Sequence, residues 1–415
     1  VAGVLAALAA STGGLTLGAD GAQGRDGALP ITQIDVIVRD SGGRFVPGLM
    51  RDDFEVLEEG RPQEVERVTL VGGGPGASPD ALHDPAMPLR RVFVVALDAE
   101  HLSSEAFLQL RDAVGTFISS EFRRGDVGGL VLDGQMANGR LTQDVDELLD
   151  AVAAARPPGS RASQDFDLRM WPQIVHEAEA LRIDSGDSNA LTTALQRACQ
   201  ESPDQCVDAA SRDQTRAHIE VKSRQFAAER RASMRRSLAM LAALANGLGR
   251  IEGRKTVILL SEGFDTDEAR ADLRRVAALA GRSGVAIYSI NGVGVRGQLG
   301  SGRSVENVTA GDTAGRFYAA GSGAEDVFDF LAASTGGLAL RNSSSFVADL
   351  ARIAADTDMY YVVEYRQENR AFNGKFRRLD VRVRRTGLTV RARNGYLATG
   401  PPQLLRTGAT LLPPF

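Results

Sequence analysis

The residues best suited to chemistry are carboxylates placed where buried strands run out. The run RVFVVAL ends in Asp98, with Glu100 two residues on, and KTVILLSEGF carries Glu262 directly after Ser261. Both runs are short and rich in Val, Ile and Leu, so they read as strands buried on both faces rather than as helices. Open α/β sheets bind their ligands at the carboxyl ends of the strands, where the strand order reverses. Three carboxylates drawn to one such edge repel each other unless a cation or a proton relieves them. Oxygen donors of this kind suit Mg²⁺ or Ca²⁺. With an activated water, the same acids could also serve metal-assisted hydrolysis. The plainer alternative is that Glu100 faces solvent while Glu262 caps a helix or bonds to a loop.

Other chemical signals are weaker. His83, His101, His176 and His218 are dispersed, and none belongs to an H-E-x-x-H pair. His101 alone lies near the acidic edge, as a ligand contact or as a structural hydrogen bond. No G-x-S-x-G elbow is present, and Asp187-Ser188 has no identifiable base. Gly292-Val293-Gly294-Val295-Arg296-Gly297 matches G-x-G-x-x-G, but glycine-rich sequence continues where a helix should open toward a pyrophosphate. Arg124-Gly125-Asp126 reads as a helix-to-strand turn rather than an adhesion tripeptide. Asn307 and Asn342 fit a glycosylation pattern that matters only in eukaryotic secretion.

The elements that must position the acids lie in an α/β region, residues 90–358. After the first strand, Ser103 or Ser104 caps a helix whose buried face is Phe107, Leu110, Val114, Phe117 and Ile118. Strand VGGLVLDG follows. Asn138-Gly139-Arg140 is predicted to turn the chain into a return strand, RLTQD. A helix then starts at Asp144 with Glu147 as its capping-box partner. Residues 157–250 read as a helical insertion. It holds a helix over Trp171–Leu181, a second at LTTALQRAC, and a long helix over Ala209–Leu248. In that last helix Phe226, Met234, Leu238, Leu241, Ala245 and Leu248 keep a helical period. Strands KTVILLSEGF, VAIYSIN and GLALR complete a doubly wound, mostly parallel sheet of five strands with one antiparallel edge.

The flanks are β. Residues 31–71 alternate apolar and polar side chains, and 359–398 give three more alternating strands. Each is small for a stable core, so the two are expected to join in one sandwich into which the α/β region is inserted; two separate β-modules are the alternative. Residues 72–89 form a Gly/Pro linker, and 399–415 a proline-rich tail.

The chain has 415 residues, 43% apolar and 24% charged, with a net charge of −5. That balance gives no reason to expect nucleic acid or an anionic membrane as partner, and no apolar run is long enough to span a bilayer. Residues 1–30 begin VAGVLAALAASTGG, which resembles an export signal without its Met and basic start; a disordered Ala-rich leader is the alternative. Cys199 and Cys206, the only cysteines, are either a short disulfide or two free thiols. Without nearby histidines they are not a zinc site.

Five stretches, DVIVRDSGGRFVPGLMRDDFEVLEEGRPQEV, FVVALDAEHLSSEAF, GRKTVILLSEGF, YYVVEYRQENRAFNGKFRRLDVRVRR and LTVRARNGYLA, together resemble the von Willebrand factor type A (VWFA) proteins. More narrowly, they resemble the VWFA-related family abundant in acidobacteria. The resemblance spans about residues 31–398. It implies a Rossmann-like VWA fold, an exported periplasmic, envelope or extracellular location, and a binding rather than catalytic role. Type A domains commonly hold a divalent cation through three loops, carrying D-x-S-x-S, a Thr and an Asp. Here the first loop reads Asp98-Ala99-Glu100-His101-Leu102, which keeps the Asp and replaces both serines. The third reads Ser261-Glu262-Gly263 in place of T-D-G. In the second, Gly186-Asp187-Ser188-Asn189 stands where G-G-T-N is usual, so Ser188 would supply the hydroxyl. The expectation is a non-enzymatic protein-binding edge at Asp98, Glu100, Ser188 and Glu262, bridged by Mg²⁺ or Ca²⁺ if the altered loops still hold an ion. A metal-dependent hydrolase, or a structural domain without ligand, is the runner-up.

Overall fold

The computed structural model describes residues 31–72, 91–132, 134–157, 170–175, 177–251, 254–264, 269–293, 327–341, 343–369, 371 and 373–398. The leader, linker and tail, His83, His176, Asn307, Asn342 and the glycine-rich run from Gly294 lie outside the described residues.

The chain starts with β1 (Ile31–Arg39), β2 (Phe54–Glu58), β3 (Arg61–Gln63) and β4 (Val65–Val71). The α/β part follows: β5 (Arg91–Leu97), α1 (Ser104–Glu121), β6 (Val127–Leu132), β7 (Gln135–Met136) and α2 (Val145–Ala154). Next come three helices, α3 (Glu177–Asp184), α4 (Ser188–Glu201) and α5 (Ala209–Leu248). Then follow β8 (Arg254–Ser261), α6 (Arg270–Ser283), β9 (Val285–Asn291), α7 (Val327–Thr335), β10 (Ala339–Leu340) and α8 (Phe346–Asp358). The described chain ends with β11 (Tyr360–Arg366), β12 (Phe376–Val383), β13 (Thr389–Arg391) and β14 (Gly395–Leu397).

The central sheet has the order β10-β9-β8-β5-β6-β7. All pairs are parallel except β6 with β7. The chain moves outward from β5 to β6 and then returns to β8 on the other side, so the switch point lies between β5 and β8. Every residue of β5 is buried. Its side chains alternate between the faces, as a strand covered by helices requires. Phe93, Val95 and Leu97 pack with α1, α2 and α8. Val92, Val94 and Ala96 pack with the carboxyl half of α5 and with α6 and α7.

Two four-stranded antiparallel sheets, β13-β1-β11-β4 and β14-β12-β2-β3, enclose a second core around Val36, Val56, Tyr361 and Val363. Both sheets take strands from both flanks: β1 pairs β11 from Ile31↔Arg366 to Val36↔Tyr361, and β2 pairs β12. Pro62 sits in β3, an edge strand, where its missing N–H breaks no inner ladder.

Three local expectations need correction. The antiparallel return is β7 against Val131 and Leu132, before Asn138-Gly139; of RLTQD only Thr142 bridges, to Gly128. The helix expected from Trp171 starts at Glu177: Pro172 disfavours helical backbone at Trp171, and the Val175 N–H goes to the Glu179 side chain. Asp144 does cap α2, but the Glu147 carboxylate turns outward to Arg140 and Thr142 and does not complete a capping box.

A buried carboxylate joins the sandwich to the central sheet. Asp356 of α8, 2% exposed, accepts from Arg39 of β1 at 2.7 Å, from Tyr288 of β9 at 2.7 Å and from Arg391 of β13. Removing the carboxylate leaves two guanidinium groups uncompensated and the Tyr288 hydroxyl without its acceptor, which costs about 3–5 kcal/mol. Asp356→Ala is therefore expected to lower the unfolding free energy in urea by about that amount. A loss below about 1 kcal/mol would show that the joint does not depend on this carboxylate.

Candidate functional site

The site follows from continuing the strand alternation past the ends of β5 and β8. Leu97 pairs with Leu260 in register, and the Asp98 N–H donates to the Leu260 carbonyl. Asp98 therefore falls beside Ser261, and both side chains take the face covered by α5. Glu262, one residue further, takes the other face. Gly263 (φ 92°) lets the chain leave the sheet there.

Asp98 is 5% exposed and His101 is 1% exposed. After β5 a short 3-10 turn, Ala99–His101, brings the imidazole back under the carboxylate. His101 Nδ1 lies 3.0 Å from both Asp98 oxygens. The Ser261 hydroxyl donates to Asp98 Oδ2 at 2.8 Å, and Ser237, reaching in from α5, donates to Oδ1 at 2.6 Å. His101 Nε2 lies 3.2 Å from the Ser233 hydroxyl, one helical turn before Ser237. Both ring nitrogens therefore have partners, Nδ1 on the Asp98 carboxylate and Nε2 on the Ser233 hydroxyl. The Phe264 ring lies 5.2 Å from the imidazole, centre to centre. Burial by itself raises the Asp98 pKa; the His101 hydrogen bond and charge and the two serine hydroxyls outweigh it and hold the group below its ordinary value.

The other acids turn elsewhere. Glu100 takes Arg236 of α5 through both oxygens, at 2.8 to 3.1 Å, and the Arg230 guanidinium reaches its carbonyl. Partial burial raises the Glu100 pKa, but Arg236 and Ser233 more than reverse the effect. Glu262 accepts from the Ser103 backbone N–H at 3.1 Å and from its hydroxyl at 2.6 Å. Ser103 in turn caps α1, so Glu262 secures the start of the helix that follows β5. Ser188 stands apart, exposed in the first turn of α4, where Asp187 is the cap. No hydrogen bond among the described residues joins Ser188 to Asp98, Glu100 or Glu262; its carbonyl accepts from Thr192.

The hydroxyl that reaches Asp98 from outside the strands thus comes from Ser237. The signal for it was present: Ser233 and Ser237, four residues apart, lie beside Met234, Leu238 and Leu241 on the buried face of α5. Polar residues in such a face need buried partners.

As arranged, these donors do not fit a divalent cation. Both Asp98 oxygens already accept from side chains that donate a proton, and Glu100 and Glu262 face different partners. Among the described residues no group of three or more His, Cys, Asp or Glu is placed to hold a metal ion. Asp126 of the Arg-Gly-Asp tripeptide is also engaged, pairing with Arg91 below the sheet.

No protein-family model matches the chain, and no curated protein matches it. Among solved structures, one similar chain is the "conserved hypothetical protein BatB from Bacteroides thetaiotaomicron", at 9% identity and a TM-score of 0.30. The match covers 64% of this chain and 96% of that one. A likeness of that size carries no argument about function.

Two serines separate the alternatives. Ser237→Ala withdraws a donor from a buried carboxylate and is expected to cost about 1–3 kcal/mol of stability. Ser188→Ala is expected to stay within about 0.5 kcal/mol. Denaturant titration of both variants checks this, and the reverse order would return Ser188 to the site.

Proposed function

We propose that the chain is a non-enzymatic, VWFA-type binding module that engages a protein partner at the carboxyl edge of its central sheet, without a resident cation. One observation carries this reading. At the switch point the deep carboxylate is fully engaged by Ser237, Ser261 and His101, while the charged groups above it, Glu100 and Arg236, remain accessible; their side chains are 29% and 61% exposed. Such an edge is rigid beneath and charged on top, which suits recognition of a complementary protein surface more than chemistry on a bound substrate.

A hydrolytic reading has one observation in its favour. Asp98, His101 and Ser233 follow one another in the order carboxylate, imidazole, hydroxyl used in acyl transfer. Against it, Ser233 is 6% exposed and sits inside α5, where its own N–H belongs to the helix and cannot stabilise an oxyanion. An exported location is part of the same proposal. It is supported by the bond between the Cys199 and Cys206 sulfurs, a pairing typical of oxidising compartments. No helix among the described residues is long and apolar enough to cross a membrane.

The reversals Glu100→Arg and Arg236→Glu are expected to weaken capture of an envelope-extract partner about tenfold each, roughly 1.4 kcal/mol. Arg382→Glu, on the exposed outer face of the sandwich, should leave capture unchanged. Equal capture by all three variants would reject the edge. Labelling of the wild type by a fluorophosphonate, lost in Ser233→Ala, would favour the hydrolytic reading instead.

A further inference from the structure

We infer that the His101 imidazole is a built-in substitute for a cation at the switch point, and that removing it converts the same donors into a divalent-cation site. The geometry supports this from three directions. First, Nδ1 is equidistant, at 3.0 Å, from the two Asp98 oxygens, the place from which an ion would take both oxygens of one carboxylate. Secondly, two hydroxyls stand near ligand spacing from the carboxylate oxygens, and Ser237 Oγ is also 3.2 Å from Nδ1. Ser237 Oγ lies 2.6 Å from Oδ1 and Ser261 Oγ 2.8 Å from Oδ2. Adjacent ligands of an octahedral ion with bonds near 2.1 Å lie roughly 3 Å apart. Thirdly, each hydroxyl now gives its proton to Asp98. Around an ion it would turn a lone pair inward instead.

The imidazole is held as firmly as a structural ligand. Nε2 faces Ser233, Phe264 lies against the ring, and the His101 carbonyl accepts from the Glu262 N–H. Truncation to alanine empties a polar space, of the kind that admits water. Bare Asp98 would then be a buried anion with two hydroxyls and no positive group against it, which strongly favours capture of a cation. Alanine rather than asparagine or glutamine makes the test clean, because an amide would refill the space with another donor. Cation capture at this edge is independent of partner binding and can be read with the purified protein alone.

Purified wild type, His101→Ala and the double variant His101→Ala/Asp98→Asn are titrated with MnCl₂ by calorimetry, and their melting temperatures are recorded in Mn²⁺ and in EDTA. The expected result is one Mn²⁺ bound by His101→Ala at least about tenfold more tightly than by either of the others. Its melting temperature should rise with Mn²⁺ while theirs do not. Wild-type binding as tight as that of His101→Ala, or binding that survives Asp98→Asn, overturns the inference. Should His101→Ala be unfolded in EDTA, circular dichroism in Mn²⁺ reads the same claim: recovery of the fold supports it, and a chain unfolded in both conditions overturns it.

Discussion

A carboxylate buried at the end of a central strand must be answered by donors, and this requirement organises the upper half of the molecule. Taking an unpaired Asp98 out of water would cost several kcal/mol. The donors come from three elements: the 3-10 turn after β5, the last residue of β8, and the middle of α5. Satisfying one side chain therefore fixes the register of β5 on β8, the path of the turn and the rotation of α5 about its axis. Glu262 does the same on the opposite face, where it ties the end of β8 to the start of α1. The two acids act as fasteners on the two faces of one edge.

The same device recurs at the other joints. Asp356 gathers groups from β1, β9 and β13. Inside the sandwich, Glu58 of β2, 3% exposed, accepts from Arg377 of β12 at 2.9 Å, Tyr365 of β11 at 3.0 Å and Tyr396 of β14 at 2.9 Å. In each case an acid joins segments more than 300 residues apart in sequence, from β1 to α8 and from β2 to β12. Apolar packing alone is non-directional, so it would tolerate small slips between the flanks. A buried acid with several donors does not.

Much of the fold was legible because burial leaves a periodic trace. Continuous Val, Leu and Ile runs marked β5, β8 and β9, and alternation marked β1, β11 and β12. Placing Asp98 and Glu262 on adjacent strands followed from the doubly wound order. That the two do not meet was also readable, since period two puts Asp98 with Ser261 and Glu262 on the opposite face. Ser237 was not readable in this way. The loop pattern Gly186-Asp187-Ser188-Asn189 points to a hydroxyl on a loop, whereas the hydroxyl that reaches Asp98 comes from a helix interior. Hydrogen bonds such as those of Glu147 to Arg140 and of Val175 to Glu179 decided local boundaries that propensity alone could not.

The long helix ties the insertion to the site. At 40 residues, α5 is about 60 Å long, longer than covering one sheet face requires. Its carboxyl half, from Met234 to Leu248, packs on Val92, Val94, Val257 and Leu259. Its amino half shares small cores with α3 and α4 around Ile219 and Phe226. Ser233 and Ser237 lie where the first role begins. In the buried face from Phe226 to Leu248, otherwise apolar, two buried hydroxyls without partners would be a defect, and beneath them Asp98 and His101 would be an unanswered polar pair at a strand end. Placed together, each pair removes the other's cost. The insertion is therefore carried on the same rigid helix that completes the edge, so no boundary can be drawn between the helical segment and the site it helps to build.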